Sequence, residues 1–156
     1  MSDTIEARLK ALGLSLPAAP APVANYVPFC VTGELLFISG QIARAADGSV
    51  IAGKLGADID VARGREAAKI CALNILAQAK SALGTLDRIA GIIKLTGFVN
   101  AAPTFNEHPQ VVNGASDALV EILGDKGRHT RSAVGVSSLP VNSAVEVEAI
   151  IAIAAP

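Results

Sequence analysis

Apolar residues recur at helical spacing in three stretches of the chain and alternate in four or five others. Ile5, Leu9 and Leu12 share a face, which predicts a short amphipathic helix over residues 3–14, with Ser2 or Asp3 as its cap and Gly13 weakening its end. Pro17-Ala18-Ala19-Pro20-Ala21-Pro22 forbids helix and reads as an extended connector. Residues 25–31 and 35–39 predict two strands around a tight turn at Thr32-Gly33-Glu34, the second continued by Gly40-Gln41-Ile42. After the Asp47-Gly48 turn and a short segment near Val50-Ile51, Asp58 or Asp60 starts a long helix to about Leu83, closed by Gly84. Its stripe is Ala68, Cys71, Ala72, Ile75, Ala79 and Ala82, small enough to lie close to a sheet.

Residues 89–99 predict a strand, with Ile92, Lys94, Thr96 and Phe98 on one side and Ile93, Leu95, Gly97 and Val99 on the other. A second main helix spans 106–123, with Pro109 in its first turn and Val111, Val112, Ala115, Ala118, Leu119, Ile122 and Leu123 inward; Gly124 and Gly127 close it. Two last strands begin at Arg131 and Val145, joined by a turn containing Pro140. The order is hairpin, helix, strand, helix, strand, strand. Helices are too few for a doubly wound fold, so the expectation is an α+β domain over residues 1–156: one mixed sheet, two helices packed on one face, and an extra N-terminal helix and Pro-rich connector over 1–24. The strands are apolar on both sides, so the second face needs a cover, and self-association supplies it.

Composition sharpens this picture. Hydrophobic residues make up 51% of the 156 and charged residues 17%, greasy for a water-exposed domain. Yet no apolar run approaches the roughly 20 residues that span a bilayer, so no membrane partner is expected. Net charge is −1, Lys and Arg do not cluster and aromatics are few, which disfavours a nucleic-acid partner. The first residues lack the basic start and apolar core of a signal peptide. Cys30 and Cys71 have no metal-type spacing and read as reduced core thiols, so a cytoplasmic protein without a metal site is expected.

The candidate chemistry gathers at the C-terminal end. His129, Arg131, Ala133 and Gly135 share one side of a strand, and Glu146 and Glu148 share one side of the next. If these strands pair as a hairpin, Arg131 lies near a carboxylate. A planar guanidinium grips a carboxylate bidentately, and a glutamate whose pKa is raised by burial can move a proton. The alternatives are a structural Arg–Glu pair or a solvated strand end. Ser39-Gly40 offers a hydroxyl and a close backbone approach, or a plain turn. Asn113-Gly114 is costly inside a helix, and packing explains the glycine as well as a ligand does. Tyr26, the only tyrosine, closes a pocket or sits half-buried in a strand. His108, just before Pro109, reads as a helix cap; His129 flanks the Arg131 side or is a solvated strand start.

Ser39-Gly40-Gln41-Ile42, Phe98-Val99, and Arg131-Ser132-x-Val134-x-Val136-x-x-Leu139-Pro140 followed by Val145-Glu146-Val147-Glu148-Ala149-Ile150 together resemble the RidA/YjgF family. These are the reactive-intermediate deaminases, also labelled L-PSP endoribonucleases. The resemblance covers roughly residues 25–154 and is that of a longer subgroup. It implies a chorismate-mutase-like fold and a homotrimer with ligand sites between subunits. It implies hydrolysis of enamine or imine carboxylates, of the 2-aminoacrylate or 2-iminobutanoate type, to 2-keto acids and ammonia, with no cofactor. The carboxylate-binding arginine falls on Arg131, the water-linked glutamate on Glu146, and a ligand-site serine on Ser39; Tyr26 and Asn113 match a pocket tyrosine and asparagine. Ala133 stands where the family often has cysteine, which leaves only a backbone carbonyl there, and an insertion around residues 107–110 reshapes the cleft. A non-catalytic carboxylate-binding regulatory trimer is the alternative, and a ribonuclease weighs least.

Overall fold

The computed structural model describes residues 4–22 and 24–156. Helix α1 is Ile5–Ala11, β1 is Phe29–Thr32, β2 is Leu35–Ile42 and α2 is Val61–Leu83. Then follow β3 Ile89–Asn100, α3 His108–Leu123, β4 Thr130–Val136 and β5 Val145–Ile153. The five strands form one mixed sheet in the order β1-β2-β5-β3-β4. Only the β3–β4 pair is parallel; the other ladders are antiparallel.

Alternation decides which side each strand buries. Leu36 and Ile38 on β2, Leu95 and Val99 on β3, and Val145, Val147, Ala149 and Ile151 on β5 are all buried, and they form one face. Helices α2 and α3 cover that face, as expected. The expected stripe of α2 is buried except at its last member, Ala82, and the inward residues of α3 are all buried. The two helices pack tightly because α3 carries Gly114: a Cβ there would lie 2.0 Å from the Arg65 carbonyl oxygen. Close packing therefore accounts for this mid-helix glycine, at a propensity cost of roughly 1 kcal/mol. Asp60 caps α2 by accepting from the Arg63 N–H, and Gly84 ends it with a left-handed φ of 79°.

Several boundaries differ from the sequence expectation. The first strand starts at Phe29, leaving Tyr26 in a bend. Helix α1 is capped by Thr4, whose hydroxyl accepts from the Ala7 N–H; the expected caps Ser2 and Asp3 lie outside the described residues. Leu12 falls beyond that helix and is exposed. The alternation of β3 breaks at a register shift between Ile92 and Lys94, so Ile92 turns inward with Leu95 while Ile93 is exposed. Cys71 is buried, and burial pushes its thiol pKa far up. Cys30, expected in the core, is exposed on the edge strand.

The last two strands do not pair as a hairpin. Strand β3 lies between β4 and β5. The chain crosses from one to the other around the end of β3, where Asn100 holds the crossing. Asn100 Nδ2 donates to Asn142 Oδ1 at 3.0 Å and to the Ser143 carbonyl at 3.2 Å, while Lys54 Nζ donates to Asn100 Oδ1 at 2.7 Å. Among the described residues, no helix is long and apolar enough to cross a membrane.

Candidate functional site

Arg131 and Ala133 occupy the helix-covered side of β4. Arg131 is opposite Leu95 and Ala133 is opposite Gly97, both of which are buried on β3. The side chain of Arg131 reaches under the first turns of α3. Its Nη1 donates to Asn113 Oδ1 at 2.8 Å and to Ser116 Oγ at 3.1 Å, and Nη2 makes a long contact to the Pro109 carbonyl at 3.5 Å. Its remaining N–H groups have no protein acceptor among the described residues, and no carboxylate pairs with it there. Arg131 lines a shallow concavity of about 250 Å³ together with Asn113, Ser116, Val120, Arg128 and His129. A guanidinium steered from one side and unpaired on the other is a receptor for a small anion.

His129 is half-buried and packed into the same wall. Its Nδ1 lies 2.6 Å from the Gly127 carbonyl and its Nε2 lies 2.9 Å from Ser116 Oγ. Burial lowers its pKa, the Gly127 bond acts the other way, and the Arg131 charge lowers it further.

Glu146 stands elsewhere. It pairs with Phe98 on β3 and Ile42 on β2, on the sheet face that no helix covers. Its carboxylate lies on the backbone of Gly40, where a Cβ would be 2.0 Å from Glu146 Oε1. Gly40 and Ser39 lie in a register shift of β2 between Ile38 and Gln41. Burial raises the pKa of Glu146, and the Glu148 charge two residues along the same side raises it further. Among the described residues, no donor bonds this carboxylate. Ser39 Oγ donates to the Val27 carbonyl at 2.8 Å, which anchors the bend carrying Tyr26. Ser39 also lines an open-face concavity of about 410 Å³ with Phe37, Lys94, Thr96 and Glu148. Tyr26 is 51% exposed and shares a smaller hollow of about 130 Å³ with Gly40.

The expected residues thus fall into two groups. Arg131, Ala133 and Asn113 lie together beneath α3; Glu146, Gly40, Ser39 and Tyr26 lie together on and beside the open face. Asn113 serves Arg131 directly, which sequence spacing did not reveal. His108 does not cap α3: the cap residue is Glu107, without a side-chain bond. Instead the ring lies over Gly135, where a Cβ would be 2.4 Å from His108 Nε2, and meets Phe105 edge-on at 5.3 Å. Ser116 is the Arg131 partner that sequence reasoning missed, and His108, beside Gly135, is the residue it misplaced. The signal for His108 was Gly135, a glycine inside β4. Among the described residues, no group of three or more His, Cys, Asp or Glu could hold a metal ion.

Residues 6–152 match the family model described as "YjgF/chorismate_mutase-like, putative endoribonuclease". The chain belongs to the YjgF/chorismate-mutase-like family. Its α+β architecture is the chorismate-mutase-like fold of that family. Among YjgF relatives, the protein TCP17 of Trypanosoma cruzi is 45% identical over 151 residues, covering 96% of this chain and 94% of TCP17. The crystal structure of Atu1372 from Agrobacterium tumefaciens, a protein described as of unknown function, superposes with a TM-score of 0.89 at 49% identity, covering 98% of this chain and 95% of that one. A 2-iminobutanoate/2-iminopropanoate deaminase of Dermatophagoides farinae is 26% identical over 141 residues, covering 90% of this chain and 94% of that protein.

Proposed function

We propose that this protein hydrolyses small imine or enamine carboxylates to 2-keto acids and ammonia. The observation that carries the reading is Arg131, fixed by Asn113 and Ser116 on one side and left with free N–H groups on the other. The name of the Dermatophagoides farinae relative supports the substrate class. Arg131 holds the substrate carboxylate. Water adds to the iminium carbon, the C=N π pair moves to nitrogen, and Glu146 accepts the proton that the water gives up. Glu146 returns that proton to nitrogen, the C–N bond breaks to release ammonia, and Glu146 takes the hydroxyl proton as the keto acid forms and passes it to the departing ammonia as ammonium. The raised pKa makes Glu146 a stronger base for the water proton than an ordinary carboxylate.

This chemistry needs Arg131 and Glu146 at one substrate, and within one chain they are on opposite faces of the sheet. We therefore place the site between copies of the chain in a homotrimer, β4 of one copy meeting the Gly40–Glu146 face of the next. The apolar residues Phe37, Ile93 and Val134 are exposed, which favours burial against another copy. The test is turnover of 2-iminobutanoate generated in situ by the purified protein. Arg131→Ala should abolish it; turnover that survives that substitution, or is absent in the wild type, sinks the reading.

A non-catalytic carboxylate-binding trimer is the second reading. It is favoured by the separation of Arg131 from Glu146, since binding alone needs only the Arg131 wall. Glu146→Gln separates the two: it should leave keto-acid binding intact and abolish turnover if the protein is a catalyst. A ribonuclease weighs least, because a net charge of −1 offers little to a phosphate backbone.

A further inference from the structure

The hydrogen bonds around Arg131 have a fixed direction. A carbonyl oxygen can only accept, so His129 Nδ1, 2.6 Å from the Gly127 oxygen, carries a proton. In the neutral ring Nε2 is then an acceptor. Ser116 Oγ, 2.9 Å away, donates its hydrogen to it. That turns the lone pairs of Oγ toward Arg131 Nη1 at 3.1 Å, while Asn113 Oδ1 takes the other Nη1 hydrogen at 2.8 Å. Proton donation runs one way, from Arg131 to Ser116 to His129, with Gly127 anchoring the far end.

We propose that Ser116 and His129 are positioning residues that orient the Arg131 guanidinium, so that its unpaired N–H groups meet the substrate carboxylate. This rests on the reading of Arg131 as the carboxylate clamp. Ser116 supplies the acceptor, and His129 decides which way the Ser116 hydroxyl turns. Without His129 as acceptor the hydroxyl rotates freely, and its lone pairs no longer point at Nη1.

The relay depends on a neutral ring. Protonated His129 turns Nε2 into a donor, so two cations then compete for one hydroxyl oxygen. The charged groups in this wall are Arg131 and Arg128; the α3 side contributes Asn113, Ser116 and Val120, which carry no charge. Arg128 is itself paired with Asp125 at 3.4 Å. The pocket thus holds no carboxylate of its own to compensate an imidazolium.

Nitrogen-15 NMR of the arginine side chains in the full-length protein reads the orientation without any need for turnover. The wild type should show protected Arg131 Nη1 hydrogens at pH 8, where the ring is neutral. Ser116→Ala and His129→Leu should lose them at pH 8. Ser116→Thr, which keeps the hydroxyl, and His129→Gln, which keeps an acceptor, should restore them. Titration with pyruvate should show weaker binding in the Ala and Leu variants, by about tenfold. Nη1 signals unchanged by Ser116→Ala would overturn the relay. Protected Nη1 hydrogens together with no pyruvate binding in the wild type would instead overturn the clamp reading and leave the relay standing.

Discussion

Arg131 and Glu146 stand on opposite faces of one sheet, with β3 running between their strands. Two strand spacings, about 10 Å, and the thickness of the sheet separate them. Neither moves across without unfolding a strand, because a shift of one residue would turn the half-buried side chains of β4, or the buried ones of β5, outward. A single chain therefore holds the two groups apart: a guanidinium wall under α3 and a carboxylate lying on Gly40.

The contact of Glu146 with Gly40 makes Gly40→Ala a selective probe. The new methyl would meet the end of a flexible side chain rather than backbone, so the fold yields cheaply and the carboxylate swings away. Thermal unfolding should shift by only a few degrees, about 1 kcal/mol or less. Imine turnover should fall by at least roughly tenfold, about 1.4 kcal/mol of transition-state stabilisation. Unchanged kcat would show that the position of Glu146 does not matter.

Glu146 also makes a prediction about stability against pH. Its folded pKa lies above the ordinary carboxylate value because of burial and Glu148. The folded protein then binds this proton more tightly than the unfolded chain does. Its contribution is full below the unfolded value, near 4.3, and is lost as pH rises through the higher folded value. Glu146→Gln removes this dependence. The variant should melt higher than the wild type at pH 7 and lose that advantage near pH 4, as followed by thermal unfolding across pH. An equal difference at both pH values would contradict the assigned shift.

His108 fills the space above Gly135, so the two positions should be coupled. Gly135→Ala should displace the ring from Phe105 and cost about 1–2 kcal/mol in chemical denaturation, as overpacking does. In a His108→Ala background the same substitution should cost almost nothing. Additive costs would show that the ring yields freely and is not held there.

Asn113 carries the strongest single bond to the guanidinium. Asn113→Ala should raise KM for imine substrate by about tenfold, close to the 1.4 kcal/mol that a hydrogen bond to a charged group contributes, with a smaller change in kcat. A lowered kcat at constant KM would assign Asn113 to the chemical step instead.

The elements were legible in the sequence because each is set by local pattern: the small-residue stripe of α2, the inward set of α3, the alternation of β5. The pairing of β4 was not. Arg131 and Val145 lie close along the chain, and a Pro-containing turn between two apolar segments suggests a hairpin. The competing fact is the β3–α3–β4 crossover, which makes β4 a parallel partner of β3 and sends β5 to its other side. That pairing depends on long-range packing of α3, to which periodicity is blind. For the same reason Arg131, Glu146, Ser39 and Gly40 were found as individual residues, while their division between two faces was not. His108 and Ser116 were missed as site residues because their role comes from where α3 crosses β4.

The proposed site combines Arg131 of one copy with Glu146 of another. Arg131→Ala and Glu146→Gln chains, each inactive alone, should be unfolded together, refolded as a mixture and assayed for 2-iminobutanoate hydrolysis. Shared sites should recover activity toward about one quarter of wild type, the fraction of interfaces at which random assembly of heterologous contacts joins an intact Arg131 to an intact Glu146. A mixture that assembles and stays as inactive as its components would contradict the claim.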